Sequence, residues 1–209
     1  MRMKFRRRWI VAPWLLAITI ASMVPPTLAA EPVIGGPCDG CEEVFRGQPA
    51  ATSSTARIAP EGEKGEPLTI RGTVYAADGE TPAAGIIVYG YHTDASGVYP
   101  SGESRHGRLR GWARTDGQGR YEFSSIRPAA YPGRGVPAHI HMHIIEPDVA
   151  TYYIDDIHFT DDPLLPPQVR RSSDQGRGGS GLVTPTRDET GSWQVRRDIV
   201  LRRNIEKTQ

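Results

Sequence analysis

The apolar and polar positions of this chain alternate with a period of two wherever they are ordered at all. In His139-Ile140-His141-Met142-His143-Ile144-Ile145 the three histidines fall on one face of a strand, and Ile140, Met142 and Ile144 on the other. Leu68 to Tyr75, Gly85 to His92, Gly111 to Arg114, Tyr121 to Phe123, Ala138 to Ile145, Tyr152 to Phe159 and Ser192 to Leu201 read as strands. Ala77-Asp78-Gly79-Glu80 reads as a turn, and Asp116-Gly117 as a hairpin between Gly111-Arg114 and Tyr121-Phe123. No long stretch carries a helical period. Strands at this density, punctuated by Gly and Pro, predict an all-β fold, an antiparallel β-sandwich with long loops at the site.

Composition sets the boundaries. Residues 1–30 open with Arg2, Lys4, Arg6, Arg7 and Arg8, run apolar from Trp9 to Val24 and close on Thr27-Leu28-Ala29-Ala30. That order is a secretory signal peptide, and the run, broken by Pro13, falls short of the roughly twenty residues that span a bilayer. The protein is therefore expected to be secreted or periplasmic, with no stable membrane span after processing. A Pro/Gly/Ser-rich arm follows over 31–66, then one domain over 67–204 and a short tail over 205–209. Taking the leader's five basic and no acidic residues from 25 Lys+Arg against 24 Asp+Glu leaves 20 against 24, a net charge of about −4. Nothing in that balance recommends nucleic acid, and Arg177-Gly178-Gly179 is a single copy in a Ser/Gly-rich link. Cys38 and Cys41 are the only cysteines, too few for a structural zinc site and lacking the histidine of a haem-attachment motif; a local disulfide is expected.

The chemistry concentrates in Tyr99, Tyr131, His139 and His141. Tyrosinate stabilises a trivalent ion and neutral imidazole completes a shell without adding charge, so two phenols and two imidazoles suit ferric iron, Fe(III). Same-face neighbours on a strand lie roughly 6.6 Å apart and can converge on one ion, whereas His139 and His143 are about 13 Å apart and cannot. The alternative is a half-exposed strand with its histidines turned to solvent. Tyr131-Pro132 forces the tyrosine into an extended conformation just before the histidine strand, and Tyr99 sits in the irregular segment between Thr93 and Arg110. His92, His106 and His158 read as surface or satisfied strand residues. His143 reads as lining the pocket or hydrogen-bonding substrate.

The words Ser96-Gly97-Val98-Tyr99, Thr115 to Phe123, Ile126-Arg127-Pro128-Ala129-Ala130-Tyr131-Pro132 and Pro137-Ala138-His139-Ile140-His141, with a weaker echo in His158 to Leu164, resemble the intradiol ring-cleavage dioxygenases over roughly residues 67 to 165. The resemblance implies Tyr99 and His141 as equatorial ligands of Fe(III) and Tyr131 and His139 as axial ones. It implies a catechol-type substrate and O2 as partners, with Tyr131 displaced by the substrate while accepting one of its protons, and a muconate-type diacid as product. Family members that cleave catechols in the cytoplasm usually carry an arginine three residues before the first histidine; here that position is Val136, and Arg134 is the nearest substitute. Two other readings fit parts of the pattern. One is a non-catalytic, secreted transthyretin-like sandwich, which shares the Thr-Asp-x-x-Gly-x-Tyr word; the other is a zinc enzyme using the alternating histidines.

Overall fold

In the computed structural model of the chain, residues 40–171 and 176–205 are described. The expected signal peptide, Cys38 and the last residues of the tail lie outside them. Two sheets face one another. One contains β1 (Thr55–Arg57), β5 (Arg120–Ile126), β2 (Pro67–Tyr75), β10 (Trp193–Arg196) and β9 (Thr186–Arg187) in that order, with β11 (Ile199–Val200) also paired to β2; the other runs β4 (Arg110–Arg114), β3 (Ile87–Tyr91), β6 (His139–Glu146), β7 (Ala150–Phe159), β8 (Leu182–Val183). Among the described residues the only α-helix is the short α1 (Pro167–Arg171), and no helix is long and apolar enough to cross a membrane.

The alternation read from the sequence is what closes the sandwich. Leu68, Ile70 and Val74 of β2, Tyr121 and Phe123 of β5, and Ile140, Met142 and Ile144 of β6 are all buried in one cluster between the sheets. Each such side chain stabilises the fold by roughly 1.5–3 kcal/mol. The other face of β6 is covered as well. His139 and His143 are buried, so the half-exposed strand does not describe β6. Cys41–Phe45 forms a 3-10 turn whose Val44 packs on Ile87, Tyr89, Trp112 and Ile145, and the Trp112 indole N–H donates to the Val44 carbonyl at 2.8 Å.

The expected all-β sandwich is observed, with four refinements. The sandwich is mixed: β2–β5, β3–β4, β3–β6, β6–β7 and β9–β10 are antiparallel, but β1–β5, β2–β10, β2–β11 and β7–β8 are parallel. The parallel partners are short strands delivered by long connections, which need no tight turn. Asp116–Gly119 is a turn, with Gly119 N–H donating to the Asp116 carbonyl at 2.9 Å, yet it makes no hairpin. It carries the chain from β4 in one sheet to β5 in the other, because each strand pairs elsewhere, β4 with β3 and β5 with β2. The predicted strand Ser192–Leu201 is two strands. It breaks where the Arg197 carbonyl crosses Gly72, accepts the Tyr121 hydroxyl at 2.7 Å, and buries Arg197 completely. Finally, part of the stretch read as an arm joins the domain: β1 pairs with β5, and Ile58 and Ala59 are core residues.

Candidate metal centre

Two loops and one strand converge on a single point. Tyr99 comes from the β3–β4 loop, Tyr131 from the β5–β6 loop, and His139 and His141 from the start of β6. The loops are bonded to each other before they reach the site: the Ala129 N–H donates to the Asp94 carbonyl at 3.1 Å and the Thr93 hydroxyl to the Ala129 carbonyl at 2.9 Å. Gly97, at φ 79°, lies against the Ala130 backbone so closely that a Cβ there would collide with its carbonyl.

The four side chains close a ring of polar atoms. Tyr99 Oη lies 2.6 Å from Tyr131 Oη, Tyr131 Oη 3.2 Å from His139 Nε2, His139 Nε2 3.2 Å from His141 Nε2, and His141 Nε2 2.9 Å from Tyr99 Oη. Neighbouring ligands at right angles around an ion with bonds of about 2.0–2.1 Å stand about 2.9 Å apart, so these edges fit one metal. The far side of each imidazole supports that fit. His139 Nδ1 is 2.8 Å from the Pro137 carbonyl and His141 Nδ1 is 3.1 Å from Asp156 Oδ1. Both partners are acceptors, so both Nδ1 atoms carry the proton and both Nε2 atoms present lone pairs to the ring centre. Burial, with the neighbouring His141, holds the His139 pKa below its ordinary value and keeps that ring neutral. Burial, the hydrogen bond shared with Tyr131 and the closeness of that second phenol push the Tyr99 phenol up, as expected for an oxygen that ionises only against a cation. Two phenols and two imidazoles that turn Nε2 inward are a donor set for a trivalent ion.

Asp156 was not singled out by the sequence, and the strand explains why. Ile140 pairs with Ile157 but Met142 with Ile154, so a bulge in β7 sets Asp155 and Asp156 together opposite His141. Burial raises the Asp156 carboxyl, but the His141 hydrogen bond and the neighbouring His141, His139 and His158 imidazoles outweigh it, and its pKa lies below the ordinary value. His139, His141 and Asp156 could also be grouped as a metal-holding set. Asp156 meets His141 Nδ1, on the far side of that imidazole from the four-atom ring, so it orients His141 and does not face the ring centre. The visible trace is in the apolar spacing: Tyr152 and Ile154, then Ile157 and Phe159, change parity within one strand.

The other residues find ordinary places. Arg134 is exposed and, with Gly97, Val98, Tyr99, Tyr131 and Pro132, lines an open cleft of about 370 Å³ beside the two phenols. His143 lies away from the four-atom ring, buried among Tyr89, Tyr91 and His106. His92 is buried and satisfied by the Thr93 carbonyl and the Ser125 hydroxyl, each at 2.6 Å; His106 is buried with Nδ1 2.9 Å from the Tyr89 hydroxyl; His158 stacks on His139 at 5.8 Å.

The chain is similar to known dioxygenases. Catechol 1,2-dioxygenase 1 of Acinetobacter lwoffii is 32% identical over 128 residues, which cover 52% of this chain and 40% of that protein. The beta chain of protocatechuate 3,4-dioxygenase of Burkholderia cepacia is 28% identical over 113 residues, 48% of each chain. The chain thus spans about half the length of the curated relatives it matches. Among solved structures, the dioxygenase domain of a dioxygenase carbohydrate-binding protein fusion from the cellulolytic bacterium Streptomyces sp. SirexAA-E shares the fold, with a TM-score of 0.55 at 21% identity over 82% of this chain and 98% of that one. The family model described as dioxygenase matches residues 43–202, well over half of the sequence, and with these relatives it shows that the chain belongs to the intradiol ring-cleavage dioxygenase family.

Proposed function

We propose that this protein is a non-haem Fe(III) enzyme that uses O2 to cleave a catechol-type ring between its two hydroxylated carbons, giving a muconate-type diacid. The observation that carries the reading is the closed ring of Tyr99 Oη, Tyr131 Oη, His139 Nε2 and His141 Nε2 with both Nδ1 protons held outside it. Ferric iron held there would supply Lewis acidity to a catechol-type substrate. The protein does the rest. Tyr131, which lines the open cleft, would hold the ion through its phenol oxygen and would be placed to accept a catechol proton on Oη. Tyr99, His139 and His141 stay as the fixed frame, and Val98 and Pro132 give the ring an apolar wall. Arg134 on the same cleft stabilises negative charge that develops on the ring. A signal peptide over residues 1–30 would place the enzyme outside the cytoplasm.

A zinc site would need a third protein ligand beside the histidines, and Asp156 is committed to His141 Nδ1. A binding protein of the transthyretin kind leaves the four-atom ring without a purpose. Purified protein should hold one iron per chain and absorb visibly, since tyrosinate bound to ferric iron is coloured. His141→Ala should lose both metal and colour, whereas His143→Ala should keep both. With a catechol panel under labelled dioxygen, both labelled atoms should enter a diacid. Stoichiometric iron retained by His141→Ala rejects the ligand set, and full iron without oxygen uptake rejects the reaction.

A further inference from the structure

We propose that Tyr91 is a positioning residue for the metal site, acting as the face plate that sets the plane of the His141 ring. The inference rests on the reading of His141 as a ligand and goes beyond it. Tyr91 ends β3 directly opposite His141 of β6, so both side chains stand on the same face of the sheet. Its ring lies 4.5 Å from the His141 ring at 24°, and its other face lies 3.8 Å from His106 at 3°. The three rings form one stack.

The outer ring is itself immobilised. His106 is buried, its Nδ1 is 2.9 Å from the Tyr89 hydroxyl, and its backbone N–H donates to the Ser104 hydroxyl at 3.1 Å. The backbone of Gly40, beside the disulfide-bonded Cys41, backs the far edge of His106: a Cβ on Gly40 would stand 3.1 Å from His106 Nε2. Burial, despite the nearby Glu43 charge, lowers the His106 pKa to about 4, so Tyr91 packs against a neutral His106 ring. Tyr91 is therefore clamped between a fixed imidazole and the one that faces the site.

Asp156 and Tyr91 constrain different motions of His141. The carboxylate holds Nδ1 and selects the tautomer, but a single hydrogen bond leaves the ring free to tilt about it. A metal bond needs the Nε2 lone pair, which lies in the ring plane, so tilt misdirects it. Flat contact with Tyr91 opposes that tilt, and a stacked aromatic pair at this separation is attractive in its own right. The ring does this work, not the phenol.

The test compares the full chain with Tyr91→Phe, Tyr91→Leu and His106→Leu, all checked for folding by thermal melting. Iron affinity is read by chelator competition, alongside the position of the visible band and kcat and KM for a catechol. Tyr91→Phe should match the wild type in all three. Tyr91→Leu should bind iron about tenfold more weakly, the lower end of outer-shell effects, and shift the band. His106→Leu, which keeps Tyr91 but removes its backing, should move both readouts the same way by less, and stands in should Tyr91→Leu fail to fold. Unchanged affinity and band in folded Tyr91→Leu overturns the inference, as does a Tyr91→Phe variant as weak as Tyr91→Leu. A wild-type protein that takes up no iron defeats the reading of the site itself, and this inference with it.

Discussion

Replacing Asp156 by Ala should weaken iron binding about tenfold without unfolding the protein. The carboxylate accepts a hydrogen bond from His141 Nδ1 at 3.1 Å, and the two side chains are 29% and 25% exposed. A hydrogen bond to a charged group contributes about 1.5–3 kcal/mol, and partial exposure lets water replace some of it, so the lower end applies. About 1.4 kcal/mol is a factor of ten, which agrees with the 10- to 100-fold cost typical of removing the outer partner of a metal-bound imidazole. The loss arises because His141, released from the acceptor, can place its proton on Nε2 and close the lone pair that faces the site. Asp156→Asn is the informative intermediate: its amide oxygen can still accept from Nδ1–H, so the tautomer survives while the charge is lost. Chelator competition should therefore rank wild type above Asn above Ala, with the melting temperature little changed because Asp156 sits in a bulge outside the core. An Ala variant that binds as tightly as the wild type, or an Asn variant weaker than Ala, would show that Asp156 does not act through His141.

Three further outcomes are expected. Gly97→Ala places a Cβ at φ 79° against the Ala130 carbonyl and should push the Tyr99 loop off the Tyr131 loop; iron per chain should fall while the far-ultraviolet dichroism stays that of the wild type, and undiminished iron would show that the two loops set the tyrosines independently. Arg134→Ala should leave iron content and colour intact and lower kcat by about tenfold, its exposure on an open cleft capping the electrostatic effect; wild-type kinetics would leave the charge-stabilising role unfilled. Burial, partly offset by its bond to the Thr93 carbonyl, lowers the His92 pKa to about 4, so the unfolded chain binds the proton first as pH falls through 6.5, and stability should drop between about 6.5 and 4 by at most roughly 3 kcal/mol. Denaturant melts across that window should show a shallower acid limb in His92→Gln, and identical limbs would place the acid sensitivity elsewhere.

What the sequence made legible was local. The β6 alternation and the Tyr-Pro step before it depend on residues within a few positions of one another, and the structure brings Tyr131, His139 and His141 together as that spacing requires. Tyr99 was reachable chiefly through the motif words, because its place is set by the docking of two loops whose joined residues, Thr93 and Ala129, lie 36 apart in the chain. The Asp116-Gly117 signal foretold a turn correctly but not its partners, since the choice between hairpin and crossover belongs to β2 and β3, not to the turn. Likewise β1 has three residues and no pattern of its own; it exists because β5 offers it an edge.

The bulge in β7 shows where fold and site part company. Tyr152 and Ile154 face the core on one side of it, Ile157 and Phe159 on the other, so the strand keeps its apolar face although its alternation slips by one residue. The core gains nothing from the slip. A strand one residue shorter between Ile154 and Ile157 would bury the same four side chains in regular register. What the extra residue provides is a carboxylate opposite His141, on the face that the regular pattern would have filled with a single side chain. The departure from period two therefore places Asp156 on His141 Nδ1 and leaves Asp155 to pair with the Arg177 backbone, so one bulge serves both the candidate site and the segment that leads into β8.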